Sequence, residues 1–166
     1  MDELLLWLRA TIVGDKAKAE AATAGPWRWT GDYPEGTCPH GYEWTDHGPD
    51  LQSGDDYVIT TSGYDASGLN IKDVDAEHIA QHDPRDTVAR CDAELAILDE
   101  HAPVHAWRPF SARPGRGDGE HVGCKKCVTW IEGRIPEREA YPCRTVRLLA
   151  QGYRHRPGWK QEWRPE

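Results

Sequence analysis

The chain has 166 residues, 38% hydrophobic and 29% charged, and its eight Trp and six Tyr supply the large side chains a folded core needs. No apolar run approaches the ~18–20 residues that cross a bilayer, and a net charge of -8 argues against a general nucleic-acid binder, whose affinity rests on neutralising phosphates. Five Cys, in a chain whose apolar Leu4–Leu8 start follows Asp2 and Glu3 and lacks the basic flank of a signal peptide, are expected to be cytoplasmic thiols or metal ligands rather than disulfides.

Leu4, Leu5, Leu8 and Ile12 fall at helical spacing and predict an amphipathic first helix, which Ala17 to Ala22 extend and Gly25-Pro26 stop. Residues 27–71 read as short strands and loops. Trp27–Thr30, Tyr42–Thr45 and Tyr57–Thr61 are rich in aromatic and β-branched residues and are separated by turn formers. Asp75–His82 predicts a second helix, and Pro84 suits the first position of a third. Val88, Cys91, Leu95 and Leu98 line one face of that third helix, which Ala102-Pro103 ends. Cys91 on this stripe reads as a buried core thiol.

Residues 103–123, with three Pro and four Gly, read as a loop or linker. A last helix is expected from Pro142 to Gly152, followed by an aromatic, basic tail. The expected architecture is α+β, helices packed on a small antiparallel sheet. Its parts are a helix–sheet–helix body over 1–102, a linker over 103–120, and a zinc knuckle, helix and tail over 121–166 that pack on the body.

Chemistry concentrates in the last third. His121, Cys124, Cys127 and Cys143 form a His-x2-Cys-x2-Cys-x15-Cys pattern. Two thiolates two residues apart can bend around one ion, and three sulfurs with an imidazole suit Zn2+ in a closed structural site. For the fourth ligand, His105, Cys38 and His40 compete with His121. His101 and His105 are four apart, but Pro103 between them breaks any shared helical face.

Other constellations are weaker. His78 and His82 share a helix face with Asp83 next to them, a pattern from which a metal-dependent phosphohydrolase can be built. Trp27 and Trp29, and Tyr153, Arg154, Trp159 and Trp163 of the tail, are candidate recognition residues. No GxSxG, HExxH or deaminase pattern occurs, so a catalytic residue set is not assigned. A protein partner for the tail is expected, self-association is compatible with an acidic body and a basic end, and a nucleotide ligand is an alternative.

Three segments carry a family resemblance. Ala21–Trp27 (AATAGPW) is similar to an AATPGPW segment, Asp75–Pro84 (DAEHIAQHDP) to a DAxHIAxHDP segment, and Pro142–Ala150 (PCRTVRLLA) with Glu162–Pro165 to a shared C-terminus. Together they resemble an uncharacterised family of small actinobacterial and actinophage proteins. The resemblance implies a phage-accessory role and no known activity. In such sequences the His, CxxC and Pro-Cys elements tend to occur together, which supports the set His121, Cys124, Cys127 and Cys143.

Overall fold

The structure is a computed structural model, and it describes residues 2–30, 50–59, 73–107, 120–129 and 137–165. Among the described residues the elements are four α-helices, a short 3-10 helix at Gln161–Trp163 and two three-stranded antiparallel sheets, an α+β architecture. The chain divides into two compact units, Asp15–Arg90 and the combination of Met1–Gly14 with Cys91–Glu166. No helix among the described residues is long and apolar enough to cross a membrane.

Helix α1 (Glu3–Ala21) starts where the Asp2 carboxylate accepts the Leu5 N–H at 3.2 Å, satisfying a donor that the first turn leaves unpaired. Its expected stripe is buried: Leu4, Leu5, Leu8 and Ile12 are each at most 8% exposed.

In the Asp15–Arg90 unit, β1 (Arg28–Thr30), β2 (Asp50–Ser53) and β3 (Asp56–Ile59) pair in sequence order. Trp29 lies opposite Leu51, and Leu51 opposite Ile59. The β2–β3 turn is Gly54-Asp55. Gly54 sits at φ 60°, where a side chain is costly, and a glycine first in a two-residue turn matches the twist of the flanking strands. Strand β2 has no counterpart among the strands expected from sequence, and the expected strand at 42–45 lies outside the described residues.

Helices α2 (Asp73–Gln81) and α3 (Pro84–Glu100) meet at Asp83. This residue is buried and caps α3, its Oδ1 accepting the Asp86 N–H at 2.9 Å, with Pro84 first in the helix. Gly25 makes room for the cap: a Cβ there would stand 2.8 Å from the Asp83 Cγ. Asp83→Ala is expected to cost about 1 kcal/mol, in line with other lost caps. Gly25→Ala is expected to destabilise by displacing the same carboxylate, and to cost less in the Asp83→Ala background. Urea unfolding of the two single variants and the double variant measures this coupling.

In the other unit, β4 (Pro103–Trp107), β5 (Glu120–Thr129) and β6 (Glu137–Ala140) form the second sheet. The stretch expected to begin a linker at 103 thus opens as a strand, with five residues in register from Pro103↔Cys124 to Trp107↔Glu120. Residues 108–119 lie outside the described residues. Helix α4 (Arg144–Gln151) follows, burying Val146 and Ala150. The core of this unit joins Leu4, Leu5, Leu8 and Ile12 of α1, Cys91 and Leu98 of α3, Val146 and Ala150 of α4, and Tyr153 and Trp163 beyond it. Cys91 is wholly buried there, as its place on the stripe predicts.

Candidate metal centre

Register explains how the knuckle forms. Strands β5 and β6 pair at Gly123↔Ala140 and again at Val128↔Arg138. Between these pairs β5 advances five residues and β6 only two, so part of the Cys124–Cys127 segment is thrown out of the ladder as a bulge. The bulge is braced from outside. Arg138 donates to the carbonyls of Cys124 (3.0 Å) and Lys125, and the Lys125 N–H reaches the Ala102 carbonyl at 2.9 Å. Inside it, the Cys127 N–H points at the Cys124 Sγ at 3.4 Å.

Cys143 arrives from the other side, after a cis Tyr141–Pro142 peptide, at the N-cap of α4. Its side chain makes no capping hydrogen bond. The Glu139 carboxylate takes over that task by accepting the Arg144 N–H at 2.7 Å. The thiol is therefore left to face the knuckle.

The fourth donor is His101, in the turn that closes α3. Its Nδ1 lies 3.4 Å from the Sγ of Cys124, 3.4 Å from that of Cys127 and 3.5 Å from that of Cys143. All four ligand atoms fall within 4.8 Å of one another, with Cys124 and Cys143 buried and His101 and Cys127 half-buried. One imidazole nitrogen has a single proton or a single lone pair, so it cannot satisfy three thiols by hydrogen bonding. A tetrahedral ion can: Zn–S and Zn–N bonds of ordinary length place S and N about 3.5 Å apart. The donor set and its spacing therefore fit a metal, with all four positions filled by protein.

Burial, then the hydrogen bond to Cys124 and the charges of Cys143 and Cys124, push the Cys127 thiol up to about 12. Burial also pushes the Cys143 thiol up. Without a cation, Cys127 and Cys143 thus resist becoming thiolates. A divalent cation among them reverses the balance, because it deprotonates the thiols it binds. The nearby Tyr141 phenol is raised too, first by burial and then by the Asp2 charge.

The structure thus joins Cys124, Cys127 and Cys143, as the spacing predicts, and puts His101 in the place the sequence reading gave to His121. His121 lies on β5, its backbone opposite Ala106, and His105 is exposed on β4 opposite Val122. Cys38 and His40 lie outside the described residues. A signal for His101 was present: it falls three residues after Leu98, continuing the buried stripe of Cys91, Leu95 and Leu98.

The other candidates are placed as follows. His78 and His82 are exposed, their rings edge to face at 4.6 Å, and no third described residue joins them to make a metal-binding group. Asp83 is engaged as a helix cap. The Trp27 indole N–H donates to the Thr23 carbonyl at 2.9 Å, and the Trp29 indole N–H is buried without a hydrogen-bond partner among the described residues.

The tail is packed rather than extended. Tyr153 is buried and its hydroxyl bonds the Glu94 carboxylate. Trp163 is 6% exposed, and its ring stands 5.0 Å from that of Trp7 and 5.6 Å from that of half-buried Trp159. Of the tail residues expected to recognise a partner, Arg154 is the exposed one; its Nε meets His155 Nε2 at 3.0 Å.

No curated protein and no solved structure matches the chain. A family model does, over residues 1–165, and its description is "Family of unknown function (DUF6221)". Covering the metal-centre residues and both compact units, that match places the chain in this family of unknown function.

Proposed function

We propose that the protein is a non-enzymatic interaction protein whose fold is fastened by one structural Zn2+, held by His101, Cys124, Cys127 and Cys143. The observation that carries this reading is the convergence of three thiols on one imidazole nitrogen at 3.4–3.5 Å. Four protein ligands leave no position for a substrate or an activated water, which is the mark of a structural rather than a catalytic site. Three sulfurs and one nitrogen favour zinc over the harder divalent ions. A phage-accessory role with a protein partner is the biological setting we infer from the sequence resemblance.

Elemental analysis tests the site. Purified protein should carry about one zinc per chain. His101→Ala and Cys124→Ser should lose it, and His121→Ala should keep it. Zinc retained by His101→Ala and lost from His121→Ala would restore the ligand set first expected from sequence. Zinc that survives loss of all three cysteines overturns the site altogether.

A further inference from the structure

The four donors are not equally shielded. Cys124 and Cys143 are 0% exposed, whereas Cys127 is half-buried at the outer side of the knuckle. The Cys124 sulfur also accepts the Cys127 N–H, which draws electron density from it. Cys143 heads α4, whose first turn is held by Glu139 and by Arg147, whose guanidinium donates to the Pro142 and Glu162 carbonyls at 3.1 Å each. Of the three cysteine residues Cys127 is thus the least enclosed, with a second sulfur three positions away on the same bulge and a third fixed to a helix.

We propose that Cys127 is an oxidation site for hydroperoxides, with Cys124 as the resolving thiol, so that their disulfide expels the metal. This inference rests on the structural-zinc reading. A metal-bound sulfur is a thiolate even at neutral pH, and the thiolate is the reactive form. The Cys127 thiolate attacks one peroxide oxygen, the O–O bond breaks, and the departing hydroxide takes a proton to become water. The Cys127 sulfenic acid is then attacked by the Cys124 thiolate. An S–S bond forms, the S–O bond breaks, and the second hydroxide leaves as water with another proton. Two thiolates, one hydrogen peroxide and two protons become one disulfide and two waters. His101 and Cys143 alone would hold Zn2+ far more weakly than the four-ligand set, so the site would lose its metal. Closing the bridge between Cys124 and Cys127 needs only the bulge to tighten, whereas a bridge to Cys143 would pull on the head of α4.

The test uses the full-length zinc-loaded chain and hydrogen peroxide. Zinc release is followed with a chromophoric chelator, and disulfides are mapped by peptide mass after alkylation. The expected result is one zinc released per disulfide formed, a Cys124–Cys127 bridge, and recovery of bound metal on adding a dithiol and Zn2+. Cys127→His, which offers a nitrogen ligand in place of the sulfur, should hold zinc and release it more slowly by on the order of tenfold, since the least enclosed thiolate is gone. If that variant binds no zinc, the mapped bridge in the unaltered chain decides. Zinc-loaded protein that keeps its metal under excess peroxide, or a bridge that maps to Cys143, Cys91 or Cys38, overturns the inference while leaving the zinc reading intact. A chain that takes up no zinc overturns both.

Discussion

Stripping the metal from the zinc-loaded chain should unfold the end of the protein that contains β5, β6 and α4. The ion would join three points through four ligands: the end of α3 at His101, the β5 bulge at Cys124 and Cys127, and the start of α4 at Cys143. Structural zinc is bound with an apparent ~10–16 kcal/mol, whereas a whole domain is stable by only ~5–15 kcal/mol. Without metal, the β4–β5–β6 ladder and the apolar contacts of α4 remain, but few side-chain bonds among the described residues hold the knuckle itself. The bonds that remain include the Arg138 contacts to the knuckle, the Tyr141 N–H to the Val122 carbonyl at 3.0 Å, and the Glu139 cap. They do not replace the link that one ion would make between His101, the knuckle and Cys143.

Cys143→Ala is the sharper form of the same experiment, because it removes one ligand without touching the bulge. A loss of even ~3 kcal/mol lowers Tm by roughly 12–24 °C in a domain of 60–100 residues. Loss of the ion should exceed that, and thermal unfolding followed by circular dichroism measures it. Cys91→Ala is the control. Its thiol is buried in the same core but lies outside the cluster, so it should lose about 1 kcal/mol for a small cavity and keep its metal. A Cys143→Ala protein that melts within a few degrees of the unaltered chain would mean that packing alone holds α4.

Which parts of this arrangement can be read from sequence follows from what holds each part. Helices α1 and α3 are legible because their burial is periodic: Leu4, Leu8 and Ile12, then Cys91, Leu95 and Leu98, keep helical spacing through otherwise polar segments. Cys124 and Cys127 are legible because a two-residue gap between thiols has few other uses. Strand β5 is not legible. Its run Gly123-Cys124-Lys125-Lys126-Cys127 has little strand propensity, and its shape comes from pairing to β4, a bulge against β6 and contacts from Arg138. Strand β4 hides for a related reason, since it begins at Pro103, which reads as a helix stop and not as a strand start. His101 was obscured by its neighbours: spacing along the chain favours His121, but spacing along the α3 face favours His101, whose Nδ1 lies 3.5 Å from the Cys143 Sγ. The role of the tail is not fixed by composition. Aromatic and basic residues together suit a recognition arm and a folded-back strap equally well, and the choice depends on whether α1 has a complementary surface to receive it.

That surface is Trp7, and replacing its partner gives the second large effect: Trp163→Ala should cost about 3–5 kcal/mol, the range for removing a buried aromatic side chain. Trp7, Trp159 and Trp163 pack as a trio with ring centroids 5.0–5.9 Å apart and tilted planes, the geometry in which aromatic pairs gain ~0.5–1.5 kcal/mol beyond burial. The approach is made tight by Gly158, which sits at φ 86° and whose added Cβ would stand 2.8 Å from the Trp7 indole nitrogen. That nitrogen donates to the Pro157 carbonyl at 2.9 Å, and Lys160 pairs with Glu3 at 2.6 Å beside it. A strap fastened this way predicts graded losses. Trp159→Ala, at a half-buried position, should cost less than Trp163→Ala. Arg154→Ala, at an exposed one, should stay within about 0.5 kcal/mol of the unaltered chain. A cycle of Trp7→Ala, Trp163→Ala and the double variant in urea should show coupling on the order of 1 kcal/mol. A free arm predicts the opposite pattern, with near-zero cost for every tail substitution and no coupling to Trp7. The cycle therefore tells a tail that completes the core from one that waits for a partner, before any partner is known.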